Sequence, residues 1–175
     1  MEKLGRNGIN ILSVTIPGER NGRSRNEQIR NSLEAAVRHA EEKEWMDRPK
    51  YRDGLPAYDL WALVYDRGVM IVEGGKGGNI GAQVPEHANY YAAHYYSARC
   101  YARDYLKAIA DGDPHLTAAA ECYGRVAASL KTVWEQARNM KSFEDAAPLH
   151  AIAQAIRDAG NAEKEGIAAI KAFLG

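Results

Sequence analysis

The chain has 175 residues, 46% of them hydrophobic, and its 23 basic residues balance 23 acidic ones. That length suits one domain with its own core, and a net charge of zero gives no electrostatic footprint for nucleic acid. No apolar run approaches the ~20 residues that span a bilayer, the start MEKLGRNGIN lacks a signal-peptide core, and Cys100 and Cys122 are too few for a disulfide framework, so the expected location is the cytoplasm.

Residues 1–23 read as an N-terminal arm rich in Gly, Arg and Asn. Arg6, Arg20, Arg23 and Arg25 cluster there, which fits a solvated face rather than a nucleic-acid patch. Within the arm, residues 9–16 carry β-branched Ile9, Ile11, Val14, Thr15 and Ile16 and predict one short β-strand ended by the turn Pro17-Gly18. A lone strand leaves backbone groups unpaired, so it must meet the rest of the chain, a second copy or a partner.

Residues 24–175 predict a helical domain. Ser24 with Glu27 three residues on is a capping box, and Ile29, Leu33, Ala36, Val37 and Ala40 then recur at helical spacing to about Trp45. A turn-rich loop covers 47–54. Leu55-Pro56 opens the second helix, with Tyr58, Trp61, Ala62 and Tyr65 on one side and Leu60, Leu63 and Val64 on another. A helix apolar this far round should be buried between neighbours. Gly68 stops it, and residues 69–72 suit a helix or a short strand.

Residues 73–81 hold five glycines in nine positions. A phosphate loop fails on detail, because Lys76 is followed by Gly77 instead of Ser or Thr, and the GxGxxG pattern from Gly75 lacks its last glycine. A mobile loop, able to cover a pocket, is the better reading.

The third helix spans roughly 86–110 and is rich in Tyr and His. Tyr91, Tyr95, Ala98, Ala102, Tyr105 and Ile109 make a core stripe. His87, Tyr90, His94, Ser97, Tyr101 and Asp104 form a second stripe about 100° away, almost every member with a polar tip. Aromatic bodies with hydrogen-bonding tips suit a ligand pocket, an oligomer interface or a wet seam between helices, and these six are the candidate ligand-binding residues. Seven residues put His87 and His94 about 10.5 Å apart along the axis, too far for one zinc ion bound by the two alone. No metal site, no cofactor motif and no catalytic residue is expected. Cys100 and Cys122 sit mid-helix with no histidine one turn away, which suits inert thiols.

A fourth helix starts at Asp113-Pro114, a cap followed by proline at the first position. It carries Leu116, Ala119, Ala120, Tyr123, Val126, Ala127, Leu130, Val133 and Trp134 as its stripe. Ser142-Phe143-Glu144-Asp145 precedes a fifth helix through Leu149, Ile152, Ala153 and Ile156. Gly160-Asn161 either breaks it or lets it continue through Ile167, Ile170 and Phe173. The fold predicted is all-α, an antiparallel bundle of five or six helices with one short N-terminal β-strand.

The stretch Gly54-Leu55-Pro56-Ala57-Tyr58-Asp59-Leu60-Trp61 is similar to a G-L-x-A-Y-[DE]-x-W motif. With Tyr90-Tyr91-Ala92-Ala93, Ala119-Ala120-Glu121-Cys122-Tyr123, and Glu163 and Glu165 in the tail, it resembles the C-terminal helical region of bacterial proteins related to the butirosin-biosynthesis H protein. In that family the helical region follows a papain-like domain. No such domain is present here, so no catalytic residue carries over. The resemblance implies a helical accessory or ligand-recognition module, working beside a separately encoded papain-like protein.

The function expected is therefore a non-catalytic accessory module that binds a small molecule or a partner. It is expected to be homodimeric, with no nucleic acid and no membrane among its partners. The alternative is an enzyme using His94 or His87 as general base with help from tyrosine.

Overall fold

A computed structural model describes residues 22–42, 52–67, 84–140 and 146–175, and side chains in the third helix from Tyr90 onward. The expected strand at 9–16, the glycine-rich stretch 73–81 and the Ser142–Asp145 cap lie outside these residues. What is described is all-α: α1 (Arg25–Glu41), α2 (Leu55–Arg67), α3 (Val84–Ala110), α4 (Pro114–Asn139) and α5 (Ala146–Leu174). No helix among the described residues is long and apolar enough to cross a membrane.

The local signals act as their chemistry dictates. The Ser24 hydroxyl accepts from the Glu27 N–H at 3.2 Å, and the Glu27 carboxylate accepts from the Ser24 N–H at 2.7 Å. These bonds satisfy two of the donors that a helix start leaves open. They also hold the Glu27 carboxyl below its ordinary value, with the backbone bond the larger cause. α1 ends at Glu41, short of the expected Trp45, with Glu42 in an extended conformation as its cap. Asp113 caps α4 by accepting from the N–H groups of His115 and Leu116 at 2.8 and 3.0 Å.

Asp111 and Gly112, at φ +44° and +82°, reverse the chain so that α4 packs back along α3. α5 lies against α4 and also meets α2 and α1. Arg157 pairs with Asp66 of α2, while Lys171 reaches Glu41 of α1 at 2.9 Å. The N-terminal half of α5 thus holds α2 and its C-terminal half holds α1.

Gly160 does not break α5, which is continuous. A Cβ there would lie 2.8 Å from Cβ of Tyr58, so the glycine is what lets α2 seat this closely. Gly54 has φ +58°, and a Cβ on it would meet the Ala40 carbonyl oxygen at 2.2 Å. It needs both the left-handed backbone and the absent side chain, and it ties the approach to α2 onto the end of α1.

The buried residues form two clusters. One joins Tyr58, Ala62 and Tyr65 of α2 to Ala92, the C-terminal half of α4 and the N-terminal half of α5. The other joins Leu33 and Ala40 of α1 to Leu106, the N-terminal half of α4, Ile167 and Ile170. The α4 stripe matches expectation, with Trp134 half-buried and stacked on Tyr96, ring centroids 6.1 Å apart. α2 is not enclosed all round, because Leu60 is 42% exposed.

The expected core stripe of α3 is corrected in part: Ala102 and Ile109 pack, half-buried, against the second cluster, but Ala98 is exposed. Tyr91, Tyr95 and Tyr105 are exposed, and the buried side presents Ala92, Tyr96, Arg99 and Leu106. The buried row lies one residue, or about 100°, round the helix. Ala92, fully buried, lets α3 approach its neighbours closely, while the tyrosines flank the contact, Tyr105 with its hydroxyl bonded to Ser32.

Candidate functional site

A cleft of about 630 Å³ opens between α1 and α2 on one side and α3 on the other. Its size is that of a small-molecule site. Trp61 of α2 and Tyr95 of α3 touch in its wall, ring centroids 5.9 Å apart and planes tilted by 57°. Tyr91 extends the α3 wall, Ala36, Ala40, Ala57 and Ala102 leave room, and Arg52, Asp53 and His39 stand among the lining side chains. Past Ala102, Ser32 and Tyr105 join α1 to α3 by a hydrogen bond of 2.7 Å.

At one point four helices contribute to a polar cluster. Glu163 of α5 is 6% exposed, the sole buried charged residue among those described. Arg99 of α3 reaches its Oε2 through Nε at 3.1 Å and Nη2 at 3.0 Å, and Nη2 lies 2.9 Å from Oε1. The hydroxyl of Tyr58 in α2 donates to the same carboxylate. Tyr123 of α4 lines the same part of the cleft, close enough for the charge of Glu163 to act on its hydroxyl. All four side chains line the cleft. They sit where the two apolar clusters meet: Tyr58 belongs to one and Tyr123 to the other, and Glu163 lies between Ala162 and Ile167.

Buried charge is costly unless it is paired and hydrogen-bonded, and here it is both. Burial alone would pull the Arg99 guanidinium down. The charge of Glu163, followed by the Tyr58 hydroxyl, offsets this and leaves Arg99 above its ordinary value, fully charged. Burial pushes the hydroxyls of Tyr58 and Tyr123 well above the ordinary tyrosine range; Glu163 adds to the rise and Arg99 opposes it. The cluster is a neutral ion pair framed by two protonated phenols.

Of the six residues proposed from sequence, the five whose side chains are described fall elsewhere. Tyr90, His94, Ser97, Tyr101 and Asp104 are exposed, and none of them lines the cleft. The His87 side chain lies outside those described. Tyr90 and His94 touch edge to face, centroids 4.3 Å apart. Ser97 donates to the Ala93 carbonyl at 3.0 Å, Asp104 pairs with the neighbouring Arg103 at 2.8 Å, and Tyr101 is 77% exposed. The stripe shares one face of α3, and the rings of Tyr90 and His94 meet on it.

Sequence reasoning missed Arg99 and Glu163 as partners, although each interrupts an otherwise apolar row. Glu163 follows Ile152, Ile156 and Ala159 and precedes Ile167 and Ile170 at helical spacing, and a charge on such a row was the available signal. Among the described residues, no group of three His, Cys, Asp or Glu side chains is placed to hold a metal ion. Cys122 is buried, with Nη2 of Arg125 at 3.1 Å from its sulfur. Comparison with family models, with curated proteins and with solved structures gave no match.

Proposed function

We propose that this chain is a non-catalytic binding module whose small-molecule ligand occupies the cleft between α2 and α3. The observation that carries the reading is the buried Arg99–Glu163 pair opening onto an aromatic-walled cleft. Ligand sites are concave, largely apolar and supplied with a few oriented polar groups, and the lining of this cleft has that composition. An ion pair contributes little net stability compared with apolar packing of the same volume, so its position at a cleft favours a role in recognition.

The cluster gives less support to catalysis. Glu163 already accepts from Arg99 and Tyr58, which engages the lone pairs a general base would need. His94 lies against Tyr90 with no carboxylate bonded to it among the described residues. In this proposal the all-α chain is an antiparallel bundle that acts as an accessory module beside a separately encoded papain-like protein, the partner that the family resemblance implies.

The test is ligand-induced stabilisation followed through variants. Binding to the folded state raises the melting temperature by mass action. A small aromatic ligand that raises it in the wild type is expected to lose the effect in Tyr95→Ala and to keep it in Tyr101→Ala. The opposite pattern overturns the cleft reading.

A second reading, a homodimer through the outer face of α3, is favoured by the row of exposed rings there, Tyr90 at 62% and Tyr101 at 77%. Exposed aromatic rows of this kind mark interfaces. Sedimentation equilibrium decides it: a dimer that dissociates in Tyr90→Ser/Tyr101→Ser supports the reading, and a monomeric wild type ends it.

A further inference from the structure

The cleft walls resemble an aromatic cage, with Trp61, Tyr91, Tyr95 and Tyr58 around a carboxylate. Such cages ordinarily select a cation. Here the protein supplies the cation itself. The Arg99 guanidinium carbon lies 6.0 Å from the Tyr95 ring centroid, and the same group is bonded to Glu163. An ammonium ligand would meet a like charge, with the carboxylate already neutralised.

Donor and acceptor capacity points the same way. Both oxygens of Glu163 are engaged, Oε2 by Arg99 and the Tyr58 hydroxyl and Oε1 by Arg99. Arg99 carries five N–H groups. Its bonds use Nε and Nη2, and Nη1 makes no hydrogen bond among the described residues. The Arg99 side chain is 24% exposed although its partner is buried, and it lines the cleft. Arg52, Asp53 and His39, which also line the cleft, each have an interaction of their own. The open polar valence of the cleft is therefore a guanidinium donor edge beside aromatic faces.

We propose that the cleft selects a ligand with an aromatic ring and a carboxylate, the ring packed against the wall made by Trp61, Tyr95 and Tyr91 and the carboxylate on the Nη1 edge of Arg99. The inference rests on the cleft being the binding site. A guanidinium edge matches a carboxylate in shape, and charge-assisted bonds of this kind are about twice as strong as neutral ones. The ion pair with Glu163 fixes the direction of the guanidinium before the ligand arrives, which lowers the ordering cost of binding.

The experiment is calorimetric titration of the full chain with 3-phenylpropionate, 3-phenylpropanamide and 3-phenylpropylamine, which differ only in the head group. The carboxylate is expected to bind at least tenfold tighter than the amide, and the amine weakest of the three. Arg99→Lys keeps the charge beside Glu163 but loses the planar fork, and is expected to weaken the carboxylate about tenfold while leaving the amide unchanged. Should that variant fail to fold, the wild type still decides: carboxylate affinity must fall as salt rises, and amide affinity must not. Equal affinity for carboxylate and amide, preference for the amine, or no binding of the carboxylate overturns the inference. Binding of amide or amine that is lost in Tyr95→Ala would overturn the carboxylate selection and leave the cleft as the binding site. Carboxylate binding that survives Tyr95→Ala unchanged overturns both.

Discussion

Glu163 concentrates the energetics of the site in one side chain. Glu163→Gln removes the charge that faces Arg99 and leaves a guanidinium with a side chain only 24% exposed. Breaking a buried pair from one side costs about 3 kcal/mol, and urea denaturation should read a loss of about that size. The double variant Arg99→Met/Glu163→Leu removes both charges and fills the space with apolar atoms, so it should be more stable than Glu163→Gln alone. A double variant less stable than Glu163→Gln would mean that the pair is a net source of stability relative to apolar packing, removing one argument for its role in recognition. Part of this site is legible in the sequence: Tyr58 falls on one apolar side of α2, and Tyr123 on the stripe of α4. Arg99 is not, because on a helix this rich in tyrosine and histidine a single arginine carries no local signal of burial. The pairing of residues 64 positions apart depends on how α3 and α5 approach, which no local pattern encodes.

Helices α2 and α5 meet through a contact that one atom decides. Gly160→Ala places a Cβ 2.8 Å from Cβ of Tyr58, where overpacking costs about 1–3 kcal/mol. Alanine in a helix gains back about 1 kcal/mol of propensity. The net expectation is a destabilised chain whose Tyr58 hydroxyl is displaced from Glu163. Thermal unfolding checks the first part. A variant more stable than the wild type would show that α2 has slack against α5. The starts of α1, α2 and α4 were legible because capping and proline chemistry are local. The end of α1 and the continuity of α5 were not, since Gly160 reads as a breaker until Tyr58 is placed over it. The rotation of α3 was misjudged for a related reason: tyrosine counts as apolar in periodicity, but Tyr91, Tyr95 and Tyr105 are all more than 40% exposed.

The helix content of the whole molecule was legible from the 3.6-residue period, and the cleft was not, because it arises where five helices converge. The convergence makes the fold sensitive to alkali. Burial pushes Tyr65 up to about 12, against an opposing bond with Trp61, and holds Tyr58 and Tyr123 higher still. Unfolded tyrosines ionise near pH 10. Above that pH the unfolded chain binds fewer protons than the folded one, so stability falls as pH rises. The protonation contribution is complete below about pH 10 and is lost as pH climbs through the folded values, at up to ~1.4 kcal/mol per pH unit for each tyrosine. Absorbance at 295 nm should therefore show these three tyrosines ionising late, together with loss of helical ellipticity. Full ionisation of all ten tyrosines with the helices intact would contradict their burial. The central claim is that ligand enters the cleft between α2 and α3. Two-dimensional amide NMR with 3-phenylpropionate tests it most directly. The account predicts shifts clustered at residues 54–61, 91–102, 123 and 163, and shifts confined to the outer face around Tyr90, His94 and Tyr101 would contradict it.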